Sequence, residues 1–229
     1  MNCTDCPNKE CFLNKYCVSE WLEYAQHYKI AKYISAAKTI FTEGDLVEGI
    51  YIICNGKAKV TLKNRKGKEI IIRIAGKGQV LGHRGISERM VYPISAETLI
   101  ESEIAYLSND DFFKLIRANK DLAFHLMLFF ADELLNSEHR YRAQNLNSSK
   151  AKVASALLMV IKAFGYKDDK TKHIDMGMSL RELAIFATIS YPTLSRTLTT
   201  FKQDGVIGNI NNEFCVLDES ALKEYAGQN

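Results

Sequence analysis

Hydrophobic positions change their spacing several times along this chain, and the changes mark its organisation. Trp21, Tyr24, Ala25 and Tyr28 recur at helical spacing and predict a short helix over 21–33. From about Ala37 the spacing becomes that of strands. Thr39-Ile-Phe, Gly49-Ile-Tyr-Ile-Ile-Cys, the alternating Lys57-Ala-Lys-Val-Thr-Leu-Lys, Glu69–Ile74, Tyr92–Glu97 and Ser102–Leu107 each predict a short strand. Turns at Glu43-Gly-Asp45, Asn55-Gly56 and Asn64–Gly67 separate the first of them, and Gly76, Gly78, Gly82 and Gly85 punctuate the next segment. Many short strands with glycine turns predict a small barrel or sandwich.

Helical spacing returns at Ser108, a cap for Asn109–Ile116. A long helix is predicted over 121–145. Leu122, Leu126, Phe129, Glu133 and Asn136 recur about every 3.5 residues there, and Phe124, Leu128 and Leu135 widen the apolar surface. Such a helix needs burial on two sides, within one chain or against the same helix of a second copy. Asn145-Leu-Asn-Ser-Ser is a polar joint and the best domain boundary. Lys150–Phe164 then predicts an amphipathic helix, with Val153, Ala156, Leu157, Val160, Ile161 and Phe164 inward. A charged loop from Tyr166 and a short strand at His173–Met176 follow.

Met178–Lys202 carries the most specific local pattern. Ser179 is an N-cap, with Leu180, Leu183, Ala184 and Ala187 at helical spacing behind it. Thr188-Ile189 break the pattern. Ser190 caps a second helix with Pro192 in its first turn, and Leu194, Leu198 and Phe201 form its apolar stripe. Tyr191, Thr193, Ser195, Arg196 and Thr199 remain on the other faces, and the capping Ser190 is a further contact candidate. Two short braced helices with hydroxyls and one arginine suit the DNA major groove, although a helical hairpin packed in a core has the same periodicity. Ser179, Arg181 and Lys202 complete the candidate contact set, Arg181 and Lys202 as phosphate contacts. Gly205-Val-Ile-Gly, Asn211-Asn212 and Phe214–Leu217 predict a hairpin, the wing of a winged helix-turn-helix. Asp218–Tyr225 predicts a closing helix.

The chain has 229 residues, enough for two domains with separate cores. Its formal net charge of +3 permits nucleic-acid binding without arguing for it. No stretch reads as a membrane helix or a signal peptide, so a cytoplasmic protein with reduced thiols is expected, with no membrane partner. No paired carboxylates, Ser/His/Asp arrangement or phosphate-cradling glycine loop is present, so no catalysis is expected. Four of the six cysteines, Cys3, Cys6, Cys11 and Cys17, lie in the first seventeen residues. Their spacing, C-x2-C-x4-C-x5-C, fits a [4Fe–4S] cluster or tetrahedral zinc, and equally free thiols in a tail. Cys54 and Cys215 sit in strand patterns and read as buried packing residues. His83 and His125 could each ligate haem, but a lone histidine is more often structural.

The order of β-roll, long helix, hinge and winged helix-turn-helix resembles the Crp/Fnr family of bacterial transcription regulators. Phe41-Thr-Glu-Gly-Asp followed by Gly49–Val60, Val80-Leu-Gly followed by Ser95-Ala-Glu-Thr, and Leu180-Arg-Glu-Leu-Ala followed by Ser190–Leu198 carry the resemblance. It implies an α+β fold with an N-terminal double-stranded β-helix (a jelly-roll-like β-roll), a long dimerisation helix and a C-terminal winged helix-turn-helix. The expected divisions are 1–20, 21–120, 121–145 and 146–229. It also implies a homodimer, a pseudo-palindromic double-stranded DNA operator and RNA polymerase as partners. The cyclic-AMP cassette of the family departs here. His83 replaces its glutamate within Gly82-His83-Arg84-Gly85, and Tyr92-Pro93-Ile94-Ser95 stands where Arg-Ser is expected. Gly82, His83, Arg84 and Ser95 are therefore an effector pocket for which cyclic AMP is not the expected ligand. The cysteine-rich start resembles the oxygen-sensing Fnr branch, but Ser102 stands where that branch has its central cysteine. Arg196 matches the family's base-reading or phosphate-contacting arginine. Pro192 replaces a base-reading glutamate, so a different operator is expected.

Overall fold

The structure, a computed structural model, describes residues 3–64, 67–144, 148–168, 170–210 and 213–227. Asn145–Asn147 of the polar joint, Arg65-Lys66, Asp169 and the Asn211-Asn212 turn of the wing lie outside the described residues. The chain divides into two compact units, Met1–Leu135 and Asn136–Asn229.

In the first unit, α1 (Phe12–Tyr16) and α2 (Ser19–Tyr28) precede the strands. These are β1 (Ile30–Ile34), β2 (Thr39–Phe41), β3 (Gly49–Asn55), β4 (Ala58–Lys63), β5 (Glu69–Ala75) and β6 (Val80–Leu81). After a 3-10 turn at His83–Gly85 come β7 (Ser95–Thr98) and β8 (Ser102–Ser108). They form two antiparallel sheets, ordered β1-β8-β3-β6 and β2-β7-β4-β5. Phe41, Ile53, Val60, Ala96 and Ile104 fill the space between the sheets. On the other face of the first sheet, Ile50, Ile52, Ala105 and Leu107 pack against Phe12, Leu13, Leu22, Phe112, Leu115 and Leu122. Strands β3 and β8 are therefore buried on both faces. That is why Gly49–Cys54 is a continuous apolar run rather than an alternating one. Helices α3 (Asn109–Ala118) and α4 (Lys120–Gln144) follow. The Ser108 hydroxyl accepts the Asp111 N–H at 3.2 Å and caps α3 as its position predicts.

Two expectations change here. The helix predicted over 21–33 ends at Tyr28, and Ile30–Ile34 pair with β8, with Ile30 opposite Tyr106. Ile30–Tyr33 are exposed edge positions, so no alternation marks them as a strand, and Tyr33 prolongs the helical pattern. The cysteine-rich start contains α1, a five-residue helix with no side-chain cap to signal it.

In the second unit, α5 (Ser149–Phe164) is followed by β9 (Tyr166–Asp168) and β10 (His173–Ile174). Next come α6 (Leu180–Phe186), α7 (Tyr191–Gln203), β11 (Ile207–Ile210), β12 (Glu213–Val216) and α8 (Glu219–Tyr225). The sheet order is β11-β12-β10-β9. Tyr166–Asp168 thus form an edge strand where a charged loop is expected, because two of their three side chains are exposed and polar. Val153, Ala156, Leu157 and Val160 of α5 are buried, as are Leu183, Leu194, Leu198 and Phe201. Asp204 accepts from Lys150 Nζ at 3.1 Å and from the Tyr225 hydroxyl at 2.8 Å, tying the starts of α5 and α8's last turn to the end of α7.

The first sheet's packing makes a test at Gly49. A Cβ there meets Leu107 O at 2.1 Å and the Tyr106 ring at 2.6 Å. Gly49→Ala is expected to lower the stability of the first unit by about 3 kcal/mol through overpacking. Urea unfolding followed by the fluorescence of Trp21, the single tryptophan, reads it. An unchanged midpoint contradicts the packing.

Candidate nucleic-acid interface and effector centre

Helix α6 starts with a complete capping box. Ser179 Oγ accepts the Glu182 N–H at 3.2 Å, and Glu182 Oε2 accepts the Ser179 N–H at 3.0 Å. The turn after it passes through Ala187 and through Thr188 at φ 56°, a left-handed conformation unusual for a β-branched residue. Ser190 then caps α7. Its Oγ lies 3.3 Å from the Thr193 N–H and 2.8 Å from Thr193 Oγ1, and Pro192 falls in the first turn, as predicted.

Helix α7 is divided lengthwise. Leu194, Thr197, Leu198 and Phe201 are buried, while Tyr191, Ser195, Arg196, Thr199 and Lys202 are exposed and Thr193 is half-buried. Arg181 on α6 is exposed. The threonine hydroxyls already have assignments. Thr199 Oγ1 donates to Ser195 O at 3.0 Å, so toward a base edge it is left chiefly as an acceptor. Lys202 Nζ lies 5.2 Å from the centre of the Phe214 ring on β12, which joins α7 to the wing by a cation–π contact. The nine candidate contact residues thus occupy one helix-turn-helix. Ser179 and Ser190 spend their hydroxyls on caps.

The four effector-pocket candidates divide differently. Gly82 adopts φ 85° and opens the 3-10 turn. His83 and Arg84 point at Glu133 on α4, with Arg84 Nη2 at 3.0 Å and His83 Nε2 at 3.6 Å from Glu133 Oε2. Arg73 on β5 joins them, Nε 3.3 Å from Glu133 Oε1. Ser95, on β7, is committed elsewhere, its hydroxyl accepting the Glu43 N–H at 2.9 Å. Tyr92 packs its ring beside Gly82 and Gly85, stacks on Phe41 and donates its hydroxyl to Gly49 O at 2.8 Å. Burial opposes ionisation of Glu133, but His83, Arg73 and Arg84 outweigh it and hold its carboxyl down at about 2. Neither Arg73 nor Glu133 is legible as a site residue from local spacing, since they meet across sixty positions of chain.

Several of the cysteines lie near one another, Cys3 and Cys11 close enough to act electrostatically on Cys54. Cys3 Sγ takes a hydrogen bond from Lys29 Nζ at 2.9 Å, and Cys17 Sγ takes one from Asn119 Nδ2 at 3.4 Å. Cys3, Cys11, Cys17 and Cys54 lie against the helical side of the first core. Cys215 is buried as expected, whereas Cys54 is half-buried. Burial pushes the Cys11 thiol up and those of Cys17 and Cys54 to about 11. Metal ligation needs thiolates. Among the described residues no three His, Cys, Asp or Glu side chains are gathered closely enough to hold a metal ion. His125 stacks on Tyr16 at 3.9 Å, a packing contact.

Residues 31–119 match the family model of the cyclic nucleotide-binding domain, and residues 151–225 match that of the Crp-like helix-turn-helix domain. The chain belongs to the Crp/Fnr family. Crp/Fnr proteins are DNA-binding transcription regulators, and this chain is one of them. The cyclic AMP receptor protein of Thermus thermophilus is 24% identical over 188 residues, covering 82% of this chain and 84% of that protein. The anaerobic regulatory protein of Bacillus subtilis is 24% identical over 169 residues, covering 73% of this chain and 71% of that one. Among solved structures, FixK2 from Bradyrhizobium japonicum superposes with a TM-score of 0.76 at 17% identity, over 86% of this chain and 96% of that one. The Crp/Fnr fold expected from the sequence is thereby confirmed. Among the described residues no helix is long and apolar enough to cross a membrane.

His83 gives this centre a pH signature. Burial lowers its pKa below the usual 6.5, so on acidification the unfolded chain takes up a proton first. Stability is expected to fall as pH drops from about 7 toward 5. In His83→Gln that slope should flatten in urea unfolding curves. An unchanged slope contradicts a buried neutral His83.

Proposed function

We propose that the protein is a homodimeric, sequence-specific regulator that reads a pseudo-palindromic operator with α7 and is switched from its N-terminal unit, and that it acts as a regulator rather than an enzyme. The observation that carries the DNA reading is the lengthwise division of α7. Its apolar stripe is fully buried, which leaves Tyr191, Thr193, Ser195, Arg196 and Thr199 to face a groove. Arg196 is the base reader, since a guanidinium fits guanine bidentately. Arg181 and Lys202 contact phosphates. Phe124, Met127, Leu128, Leu134 and Leu135 of α4 are exposed at 41% or more, a face that a second copy's helix would cover. A dimer places its two recognition helices in successive major grooves, about 34–36 Å apart. In this reading, a shift of α4 and of the joint at 145–149 alters that spacing. RNA polymerase is the partner that the regulatory role calls for.

The effector is proposed not to be cyclic AMP, although the Thermus relative is named for it. A cyclic phosphate needs a free cation with donors at short range. Arg84 is spent on Glu133, and Tyr92 fills the space beside Gly82 and Gly85. The proposed responsive element is the segment carrying Cys3, Cys6, Cys11 and Cys17. Its thiols would have to deprotonate and draw together before they could hold [4Fe–4S] or zinc, and the DNA reading does not depend on either.

Fluorescence anisotropy on an operator duplex selected by the wild-type protein tests the assignment. Arg196→Ala should lose about 1–3 kcal/mol of discrimination between that duplex and random DNA. Lys202→Ala should weaken both alike and reduce the salt slope by about one. Full discrimination in Arg196→Ala refutes the proposed reading face.

A further inference from the structure

Two guanidiniums and one imidazole converge on a single carboxylate inside the first unit. Glu133 Oε1 faces Arg73 Nε at 3.3 Å, and Oε2 faces Arg84 Nη2 at 3.0 Å and His83 Nε2 at 3.6 Å. The side chains of Arg73, His83 and Glu133 are 11%, 2% and 12% exposed. Arg73 is further fixed by donating from Nη1 to Val80 O at 3.0 Å and from Nη2 to Gln79 Oε1 at 3.3 Å. Among the described residues neither ring nitrogen of His83 has a partner within ordinary hydrogen-bond distance, Nε2 lying just beyond it from Glu133, and Phe129 and Phe130 stand edge-on to its ring. The chemistry is that of an anion site. It has planar forks, a buried imidazole and aromatic walls that keep the field strong. With His83 neutral, two arginines against one carboxylate leave a surplus positive charge in a place where an uncompensated charge is costly. Removing the carboxylate would leave both arginines unmatched.

We propose that Arg73, His83 and Arg84 form an anion-binding centre whose resident anion is the Glu133 carboxylate, so that α4 is the β-roll's built-in ligand and a small carboxylate or phosphate enters only by displacing it. The centre ties the register of α4 to whether Glu133 is seated. An anionic ligand and the seated helix are then mutually exclusive, which is a direct way for a small molecule to move α4. The inference does not rest on DNA binding or on the thiols.

Thermal melting of the full chain at pH 7 and constant ionic strength, with sodium formate exchanged for sodium chloride, tests it. Glu133→Ala opens a gap the size of a carboxylate. It is expected to melt several degrees below wild type in chloride and to regain much of that loss in formate, with saturation. Wild type is expected to melt alike in both salts. Glu133→Gln, which keeps the gap filled, is expected to lose stability and not be rescued. If Glu133→Ala melts alike in both salts, or if wild type gains as much from formate as the variant does, the proposal is overturned. Should Glu133→Ala fail to fold, Arg84→Met and Glu133→Gln are combined in a double-mutant cycle. Losses that fall short of additive support the centre, and additive losses overturn it.

Discussion

One helix in this protein must meet two opposed demands, and the C-terminal unit is arranged to reconcile them. α7 has to be held rigidly and also has to offer a polar surface. Leu194, Leu198 and Phe201 meet the first demand by burying a narrow stripe against α5 and α6. That leaves most of the circumference free. The caps at Ser179 and Ser190 satisfy orphan amides at both helix starts, so those amides do not depend on water or a ligand. Hydroxyls bonded back to their own helix, such as Thr199 to Ser195 O, fix the rotamers on the exposed side. The interface is therefore organised before any ligand arrives, which limits the ordering cost of binding.

The N-terminal unit solves a different problem. Its first sheet is covered twice, by the second sheet on one face and by helices on the other. β3 and β8 become the rigid middle of three layers. The turn after β6 rises from that middle with His83 and Arg84, and α4 answers with Glu133. A buried ion cluster contributes less to net stability than its short distances suggest, because desolvation offsets much of the attraction. In the proposed centre its value lies in specificity, because seating the carboxylate ties α4 to the turn after β6. The exposed apolar residues further round α4 show that the same helix has a second surface to satisfy.

Much of this was legible in the sequence, for physical reasons that can be named. Caps, Pro192 and the Leu194–Leu198–Phe201 spacing are local signals, and the helix-turn-helix is built from local signals. The β-roll showed in its apolar runs and glycine turns. What escaped is long-range or exposed. β1 pairs with a strand seventy residues away and has almost no buried side chain, so nothing local marks it. Glu133 fell on the apolar stripe of the long helix by spacing and read as a helix position. Its partners lie at Arg73, His83 and Arg84, and no periodicity links them. The cysteine spacing is a local pattern, but the hydrogen bonds that Cys3 and Cys17 take from Lys29 and Asn119 are long-range and unmarked in it.

The central claim is that α7 reads DNA sequence as one of a symmetric pair. Selection of bound duplexes from a random pool by the purified full-length protein addresses it most directly. The account predicts an enriched two-fold symmetric motif with half-sites about one helical turn apart. Recovery of an unenriched pool, or of a motif without symmetry, would contradict it.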